Sequence, residues 1–419
     1  MNRFVKSVAV LVSGTAMAQA IGYLVAPVLT RLYSPEEMGE LGIYMRAVGF
    51  IAAVATLRFE LALPLPKRDD HSFVIYRMTL RIALAMLLVL GIAGAAGLLW
   101  VPEQRVKGFF LAITLVSAFF LVFTNLGINW AIRTGAYRKI STSKVVNALG
   151  ANGFRLLFGF AGWGAKGLLG ATLIGYGLAA LPFVKQAMAL FTTYGNQKQP
   201  HRERVLTRKH REFPLINLPH TAVDLGRELI IGLLIVQLFN EAVFGSYNHA
   251  FTMLRLPVAL VGASIGQVLF NRCAELLNQK QTIHVLVART MLILFGLSVP
   301  AFTLVFLYGE PVFTFVFGDQ WTDSGLYAET MALWLLLAFI SSSLSTLPLV
   351  LNYQKRFFFM SLIGTSIQLI GFGVLPLYGG EFFDQFINVL QVVTLAQSGY
   401  LVVLIAVLYR MSKFPRALR

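Results

Sequence analysis

The chain has 419 residues, of which 57% are hydrophobic and only 13% charged, with a formal net charge of +16 at pH 7. Soluble proteins carry about 25% charged residues, so this composition excludes an ordinary soluble domain. Cys273 is the single cysteine, which excludes a disulfide framework and a thiolate metal site. Apolar runs of roughly 20 residues, the length that crosses a bilayer, recur throughout and predict a polytopic helical membrane protein.

Charged or Gly- and Pro-rich breaks separate these runs into twelve predicted spans. The first 20 residues resemble a secretory signal, but their apolar run continues to residue 30, so we interpret them as the first span. The spans are predicted at 7–30, 41–63, 77–100, 108–132, 145–163, 168–191, 213–239, 246–270, 285–308, 327–351, 357–379 and 386–409.

Basic residues between the spans predict the orientation. One set of connections, together with both chain ends, holds nearly all of the loop lysines and arginines. The opposite set holds only Arg31, Arg105, Lys107 and Lys166. Basic residues accumulate in cytoplasmic loops, so both termini are predicted to be cytoplasmic. The positive charge then lies against the lipid headgroups and does not indicate a nucleic-acid partner.

A polar, basic stretch divides the chain into two halves of six spans. We predict an N-terminal six-helix lobe at 1–191, a basic cytoplasmic linker at 192–212 and a C-terminal six-helix lobe at 213–419. A weak internal repeat supports this division, because "RLYSPEEMGELGIY" (31–44) aligns with "QLFNEAVFGSYNHA" (237–250). Transporters are often built from such repeats, with the binding site near the middle of the bilayer.

Eight ionisable residues lie inside the predicted spans, where each costs roughly 2.5–3.5 kcal/mol at mid-bilayer. They require burial, pairing or a wet cavity. The set is net positive and suits an anionic ligand, because arginine binds phosphate oxygens bidentately. The predicted substrate-binding residues are Arg46, Arg58, Arg155, Arg227 and Arg255, and the predicted titrating or cation-binding residues are Asp224, Glu228 and Glu60. No residue is predicted to be catalytic or to bind a metal.

Span seven leaves two interpretations open. Asn217, His220, Asp224 and Glu228 follow a helical spacing and share one face. That face could line a transport cavity. Alternatively, Asp224 and Arg227 form an ion pair that holds helices together.

Span two also leaves two interpretations open. Arg46 and Glu60 are predicted to share a helix face, with Arg58 pointing elsewhere. Arg58 and Glu60 lie near the cytoplasmic edge, where Arg58 could meet an entering phosphate. The alternative is an interfacial ion pair that positions the turn "PLPKRDD" at 64–70.

Several sites are missing from the sequence. There is no "GxxxxGKS" or "GxxxxGKT" loop, so no nucleotide partner is indicated. His220 and His249, the two histidines within spans, lack metal-ligand spacing, and no aspartate pair of the kind that holds Mg²⁺ for phospho-sugar transfer occurs in a cytoplasmic loop. The polar stretches at 125–129 and 341–346 are predicted to mediate helix packing.

Four stretches resemble the polysaccharide-transport family. They are "APVLTRLYSPEEMGELGIY" (26–44), "LRFELALPLPKRDD" (57–70), "FGSYNHAFTMLRLPVALVGASIGQVLFNRCAE" (244–275) and "VFGDQWTDSGLYAETMALWLLLAFISSSLSTL" (316–347). They cover both halves in order. The family comprises bacterial O-antigen and capsule repeat-unit flippases, in the superfamily that also includes multidrug exporters and the peptidoglycan-precursor flippase.

The resemblance implies an all-α fold of about twelve transmembrane helices in two pseudo-symmetric lobes around a central cavity. The implied substrate is an undecaprenyl-diphosphate-linked oligosaccharide, moved by alternating access across the bacterial inner membrane. H⁺ or Na⁺ is the implied coupling ion, with no other cofactor. The implied partners are the lipid-linked glycan and membrane lipid, with a polysaccharide polymerase and a chain-length regulator as candidate proteins.

Two other functions remain as alternatives. A cation-coupled multidrug exporter of the same superfamily would favour acidic cavity residues, which the arginines argue against. A membrane-embedded glycan polymerase or ligase needs a sizeable outward loop or a cytoplasmic metal site, and the longest predicted outward loop, 309–326, is short.

Overall fold

The computed structural model describes residues 3–99, 105–195 and 200–413. These ranges contain helices and connections but no β-strand, which confirms the all-α prediction. Contacts divide the chain into two compact units, Met1–Leu229 (unit 1) and Ile230–Arg419 (unit 2). The division falls inside a helix, whereas the lobe boundaries at 191 and 213 stay a prediction.

Fourteen α-helices follow one another in the described ranges. They are α1 (Arg3–Leu32), α2 (Pro35–Ala55), α3 (Asp69–Leu99), α4 (Arg105–Thr134), α5 (Tyr137–Phe160), α6 (Gly164–Tyr194), α7 (Pro200–Lys209), α8 (Leu218–Leu238), α9 (Glu241–Asn278), α10 (His284–Phe317), α11 (Thr322–Leu344), α12 (Leu347–Val350), α13 (Gln354–Tyr378) and α14 (Phe386–Lys413). Short 3₁₀ segments occupy Phe59–Ala62, Asp319–Trp321 and Glu381–Asp384, and a π-helical segment occupies Phe213–Asn217.

All of the long helices correspond to predicted spans. Among the described residues, nine helices are long and apolar enough to cross a membrane. The other three long helices are α5, α8 and α9, which carry Arg155, the Asp224–Glu228 group and Arg255.

Small residues allow the helices of unit 1 to pack closely. A Cβ atom at Gly175 of α6 would lie 2.7 Å from Cβ of Ala151 on α5, and one at Gly127 of α4 would lie 2.3 Å from the Phe183 ring on α6. Such contacts are typical of helices in membranes, where van der Waals packing drives association. The Phe183 ring is fully buried as a result.

The basic stretch at 192–212 contains a docked helix. Glu203 of α7 accepts a hydrogen bond from Arg77 of α3 at 2.8 Å and lies 3.3 Å from Arg81. Arg202 pairs with Asp70 at the start of α3 at 3.1 Å, and Leu206 is buried. The described part of this linker therefore packs on unit 1.

Unit 2 shows the same close packing between α9 and α11. A Cβ atom at Gly262 would lie 2.5 Å from Oγ of Ser342, and one at Gly266 would lie 3.0 Å from the carbonyl oxygen of Ser343. Thr346 also donates a hydrogen bond to the Gly266 carbonyl at 3.4 Å. These contacts confirm that the serine-rich stretch at 341–346 mediates helix packing.

Helix α10 extends well into the predicted outward loop at 309–326. It continues to Phe317 after a non-helical residue, Tyr308 (φ −136°), so the prediction of a loop there is wrong. The Gly309 and Gly325 backbones approach so closely that a Cβ atom at Gly325 would lie 2.6 Å from the Gly309 carbonyl oxygen. The connection between α10 and α11 is therefore shorter than predicted and consists of a few residues that include the 3₁₀ segment Asp319–Trp321.

Candidate functional site

Arg155 on α5 is surrounded by polar groups from neighbouring helices of unit 1. Its Nη2 donates to Oγ1 of Thr172 on α6 at 2.9 Å, and its Nη1 reaches Oδ1 of Asn152, one turn earlier, at 3.5 Å. The Tyr33 hydroxyl, just after α1, donates to the Arg155 carbonyl oxygen at 2.7 Å. The side chain is only partly exposed.

Two further tyrosines complete this cluster. Tyr44 on α2 and Tyr176 on α6 both interact electrostatically with Arg155. Tyr44 is fully buried and shares a short hydrogen bond with Ser117 of α4. We refer to this set as the Arg155 cluster, comprising Arg155, Asn152, Thr172, Ser117, Tyr33, Tyr44 and Tyr176.

The Arg155 cluster is suited to bind an anion. The groups that interact with the guanidinium are neutral, and no carboxylate among the described residues pairs with it. Its Nε is buried and has no hydrogen-bond acceptor in the described part of the chain. A buried charge without a counter-ion is costly, and a phosphate oxygen would supply both the charge and the acceptor.

Arg58 and Glu60 form an ion pair at the end of α2. Nη1 of Arg58 lies 3.0 Å from Oε1 of Glu60, which is 2% exposed. Nε of Arg58 donates to Oδ1 of Asn217 in the π-helical segment at 3.3 Å. Burial raises the pKa of Glu60, against the lowering effects of a hydrogen bond with Thr56 and of the Arg58 charge.

The predicted arrangement of span two is wrong. Helix α2 ends at Ala55, and Leu57 and Arg58 adopt left-handed backbone conformations with φ of 49° and 61°. A helical wheel therefore cannot relate Arg46 to Glu60. Instead, Nη1 of Arg46 donates back to the Gly42 carbonyl of its own helix at 3.3 Å, while Arg58 turns towards Glu60.

The turn at 64–70 is held by Arg133, a loop arginine that directly follows the fourth predicted span. Its Nη2 pairs with Oδ1 of Asp69 at 2.8 Å, and its Nη1 donates to the carbonyl oxygens of Pro64 and Pro66. No side-chain hydrogen bond or ion pair in the described residues joins Arg58 or Glu60 to this turn. The spacing of charges in the sequence did not predict the contact between Arg133 and this turn.

The α8 residues do not form the Asp224–Arg227 ion pair, which was one of the two interpretations of span seven. Asp224 Oδ2 lies 3.4 Å from Nδ1 of His220, and both side chains are more than half exposed. Arg227 lies 4.0 Å from Glu228, its sequence neighbour. The alternative of an Asp224–Arg227 ion pair is therefore not found among the described residues, and His220 and Asp224 lie on an accessible face of α8, with Glu228 partly exposed.

Arg255 lies in unit 2 on α9 and is exposed. Its guanidinium lies 5.2 Å from the centroid of the Phe251 ring, a cation–π distance. Of the predicted arginines, the structure thus gives Arg155 a polar cluster, pairs Arg58 with Glu60 and Arg227 with Glu228, and places Arg255 on an aromatic ring.

Unit 2 contains two polar groups that the sequence analysis did not select. Glu329 of α11 accepts a hydrogen bond from the backbone N–H of Glu310 at 2.8 Å, immediately after the Tyr308 break in α10. His249 of α9 is 9% exposed, and its ring centroid lies 4.5 Å from that of Phe317 and 4.6 Å from that of Trp321. A polar residue within an apolar run was the available signal for both. In the described ranges, no group of three or more His, Cys, Asp or Glu side chains could hold a metal ion.

Comparisons with known proteins agree with this architecture. The model of the family described as "Polysaccharide biosynthesis protein" matches residues 28–325. A comparison with curated protein sequences finds no match.

Solved membrane transporters share the fold over nearly the whole chain. An inward-facing multidrug resistance MATE family transporter of the MOP superfamily superposes with a TM-score of 0.69 at 13% identity, over 99% of this chain and 100% of the other. A MOP superfamily transporter from Pyrococcus furiosus has a TM-score of 0.62 at 14% identity, covering 97% and 96%. The lipid II flippase MurJ, in an inward closed conformation, has a TM-score of 0.60 at 12% identity, covering 94% and 86%.

Proposed function

Because the chain belongs to the polysaccharide biosynthesis protein family and has the fold of MOP superfamily transporters, we propose that it moves undecaprenyl-diphosphate-linked oligosaccharide repeat units across a membrane. The units are of the O-antigen or capsule type and pass from the cytoplasmic to the periplasmic leaflet of the bacterial inner membrane. Both termini are cytoplasmic in this proposal. A polysaccharide polymerase and a chain-length regulator act downstream.

The Arg155 cluster is the observation that carries this proposal. A partly buried guanidinium among neutral hydroxyl and amide groups presents an unneutralised positive charge within the helices of unit 1. A diphosphate matches this arrangement in charge and in hydrogen-bond acceptors. Sugar hydroxyls match the surrounding tyrosine, serine and threonine side chains, which act as both donors and acceptors.

Arg58 and Glu60 are proposed to couple substrate entry to an H⁺ or Na⁺ gradient. The carboxylate of Glu60 already neutralises Arg58, so an entering diphosphate competes with Glu60 for the guanidinium. Glu60 then takes up a proton or a cation, which its burial favours because burial disfavours the unpaired carboxylate. Asp224 and Glu228, on the accessible face of α8, are the other candidates for coupling.

A gene deletion tests the proposal directly. The lipid-linked intermediates and the surface polysaccharide of the host would be analysed with and without the gene. We expect loss of surface glycan and accumulation of single undecaprenyl-diphosphate-linked units on the cytoplasmic side. Unchanged glycan would contradict the proposal, and so would complete units that reach the periplasm but stay unpolymerised, because that pattern indicates a polymerase.

A multidrug exporter is the second candidate. The exposed Asp224 and the partly exposed Glu228 on α8 favour it, because acidic groups bind cationic amphiphiles. Overexpression distinguishes the two functions. Raised drug resistance with unchanged surface glycan would favour the exporter over the flippase.

A further inference from the structure

An apolar groove of about 450 Å³ lies on the surface of unit 2 between α10, α11 and α14. Ala288, Leu292 and Phe295 of α10 line one side, and Val402 and Tyr409 of α14 line the other. Leu292, Phe295 and Val402 are each at least half exposed. The groove therefore presents a concave apolar surface that a long hydrocarbon chain can fill.

Three basic residues lie close in sequence to the residues that line one end of this groove. Nζ of Lys413 lies 4.9 Å from the centroid of the Tyr409 ring, which itself lines the groove. Arg410 follows Tyr409 in sequence and is exposed. Arg289 is exposed and lies one helical turn before Leu292. Because α10 begins and α14 ends at this end of the groove, all three charges lie at the end of unit 2 that is predicted to face the cytoplasm.

We propose that this groove holds the apolar tail of a lipid diphosphate and that Arg289, Arg410 and Lys413 bind its phosphates. The inference rests on the proposed function and adds a second contact site for the same substrate class. Charge complementarity favours a diphosphate over a phospholipid, because three basic residues exceed the single negative charge of a common anionic headgroup. A second apolar groove lies between α13 and α14 and has two basic residues, Lys355 and Arg356, one helical turn before Phe359 on its α13 side.

Photo-crosslinking of the full chain in neutral-lipid nanodiscs tests this proposal. The probe is a polyprenyl diphosphate with a photoreactive group in its tail, and mass spectrometry locates the labelled peptides. We expect labelling of residues 284–295 and 402–413. The double variant Arg289→Gln/Lys413→Gln should reduce this labelling by about fivefold, the effect of losing ~1 kcal/mol of charge-assisted binding.

Matched variants distinguish binding of the probe in the groove from general contact between the probe and the protein surface. Ala288→Phe fills the groove and should also reduce labelling. Leu304→Phe, at an exposed position of α10 outside the groove, should leave labelling unchanged, as should Arg272→Gln, an exposed charge on α9. Because Arg289 and Lys413 are exposed, their replacement tests the proposal even if Ala288→Phe does not fold.

Besides an absence of groove labelling, two results would overturn the inference. One is unchanged labelling in the Arg289→Gln/Lys413→Gln variant. The other is equal competition by excess phosphatidylglycerol, which would show that the groove takes any anionic lipid. Glycan export in cells is a separate measurement. Normal export without labelling of the groove would exclude the groove as a binding site but would not exclude the flippase function. Labelling of the groove together with normal surface glycan in the gene deletion would exclude the flippase function.

Discussion

At the scale of single residues, Arg155 and Glu60 are buried or partly buried ionisable groups with opposite surroundings. Arg155 contacts hydroxyl and amide groups and has no carboxylate partner among the described residues. Glu60 already has a cationic partner in Arg58 and is nearly inaccessible. An anion that binds Arg155 would therefore displace no carboxylate, whereas Glu60 must lose its ion pair with Arg58 before it can bind a proton or a cation.

Replacing Arg155 tests its role in substrate binding. We expect Arg155→Gln to lower surface glycan by about tenfold or more in the complemented deletion strain, because a charge-assisted contact of ~1.5–3 kcal/mol is lost. Arg155→Lys should restore part of the activity, since it keeps the charge but loses the bidentate geometry.

The matched control is Arg138→Gln, which removes an exposed arginine from the same helix. It should leave glycan export unchanged. Equal protein levels in the membrane fraction would have to be shown by immunoblot. Full export by Arg155→Gln would exclude the Arg155 cluster as the phosphate site.

The raised pKa of Glu60 predicts a pH dependence of stability. Burial holds the folded pKa of Glu60 above its ordinary value of 4.5. The protonated Glu60 side chain therefore contributes fully to the stability of the fold when the pH is below the ordinary pKa. This contribution decreases as the pH rises through the folded pKa. Thermal unfolding of the purified protein between pH 4.5 and 8 should show a decrease in Tm with rising pH that is weaker in Glu60→Gln.

The control for this measurement is Glu212→Gln, which changes an exposed glutamate near the same segment. It should keep the pH profile of the wild type. A Glu60→Gln profile identical to that of the wild type would show that Glu60 does not titrate in this range.

At the scale of elements, the sequence predicted which segments are α-helices, but it did not predict where several of these helices end. Apolar runs of membrane length predict helices well because lipid leaves the backbone no other way to satisfy its hydrogen bonds. The end of α2 was missed because the apolar sequence continues past Ala55, while the left-handed Leu57 and Arg58 end the helix. In α10, the Glu310 N–H after the break is satisfied by Glu329, a contact that local sequence cannot reveal.

The packing of α5 on α6 gives a prediction with a control in the same helix. A Cβ atom at Gly175 would lie 2.7 Å from Cβ and 3.2 Å from Cα of Ala151, whereas one at Gly177 would meet only the Phe120 ring at 3.9 Å. Gly175→Ala should destabilise the protein by ~1–3 kcal/mol through overpacking.

Gly177→Ala should be neutral or stabilising by up to ~1 kcal/mol, because alanine favours the helix. Thermal unfolding in detergent measures both variants. A Gly175→Ala variant as stable as Gly177→Ala would show that α5 and α6 can separate at this point without cost.

At the scale of the whole molecule, the distribution of basic residues predicts the topology. Two exposed positions test it: Gln279, between α9 and α10, is predicted to be cytoplasmic, and Asp319, between α10 and α11, is predicted to face the periplasm. Buried Cys273 is the only native cysteine, so it provides little background for labelling.

In intact cells, a membrane-impermeant thiol reagent should label Asp319→Cys and should label Gln279→Cys only after the membrane is permeabilised. The reverse pattern would place both termini outside the cytoplasm. Such a result would contradict the proposed direction of transport as well as the orientation.

The sequence by itself determined the membrane class, the twelve long helices and the polysaccharide family, because these depend on composition, apolar run length and local motifs. It also located Arg155, Arg58 and Glu60 as charges that lipid could not tolerate without compensation. The tertiary structure alone decided their partners: Thr172 and the Tyr33 hydroxyl for Arg155, Glu60 and Asn217 for Arg58, and the 64–70 turn for Arg133. Those contacts join residues from separate helices, and their geometry depends on how close small residues allow the helices to approach and on where each helix ends.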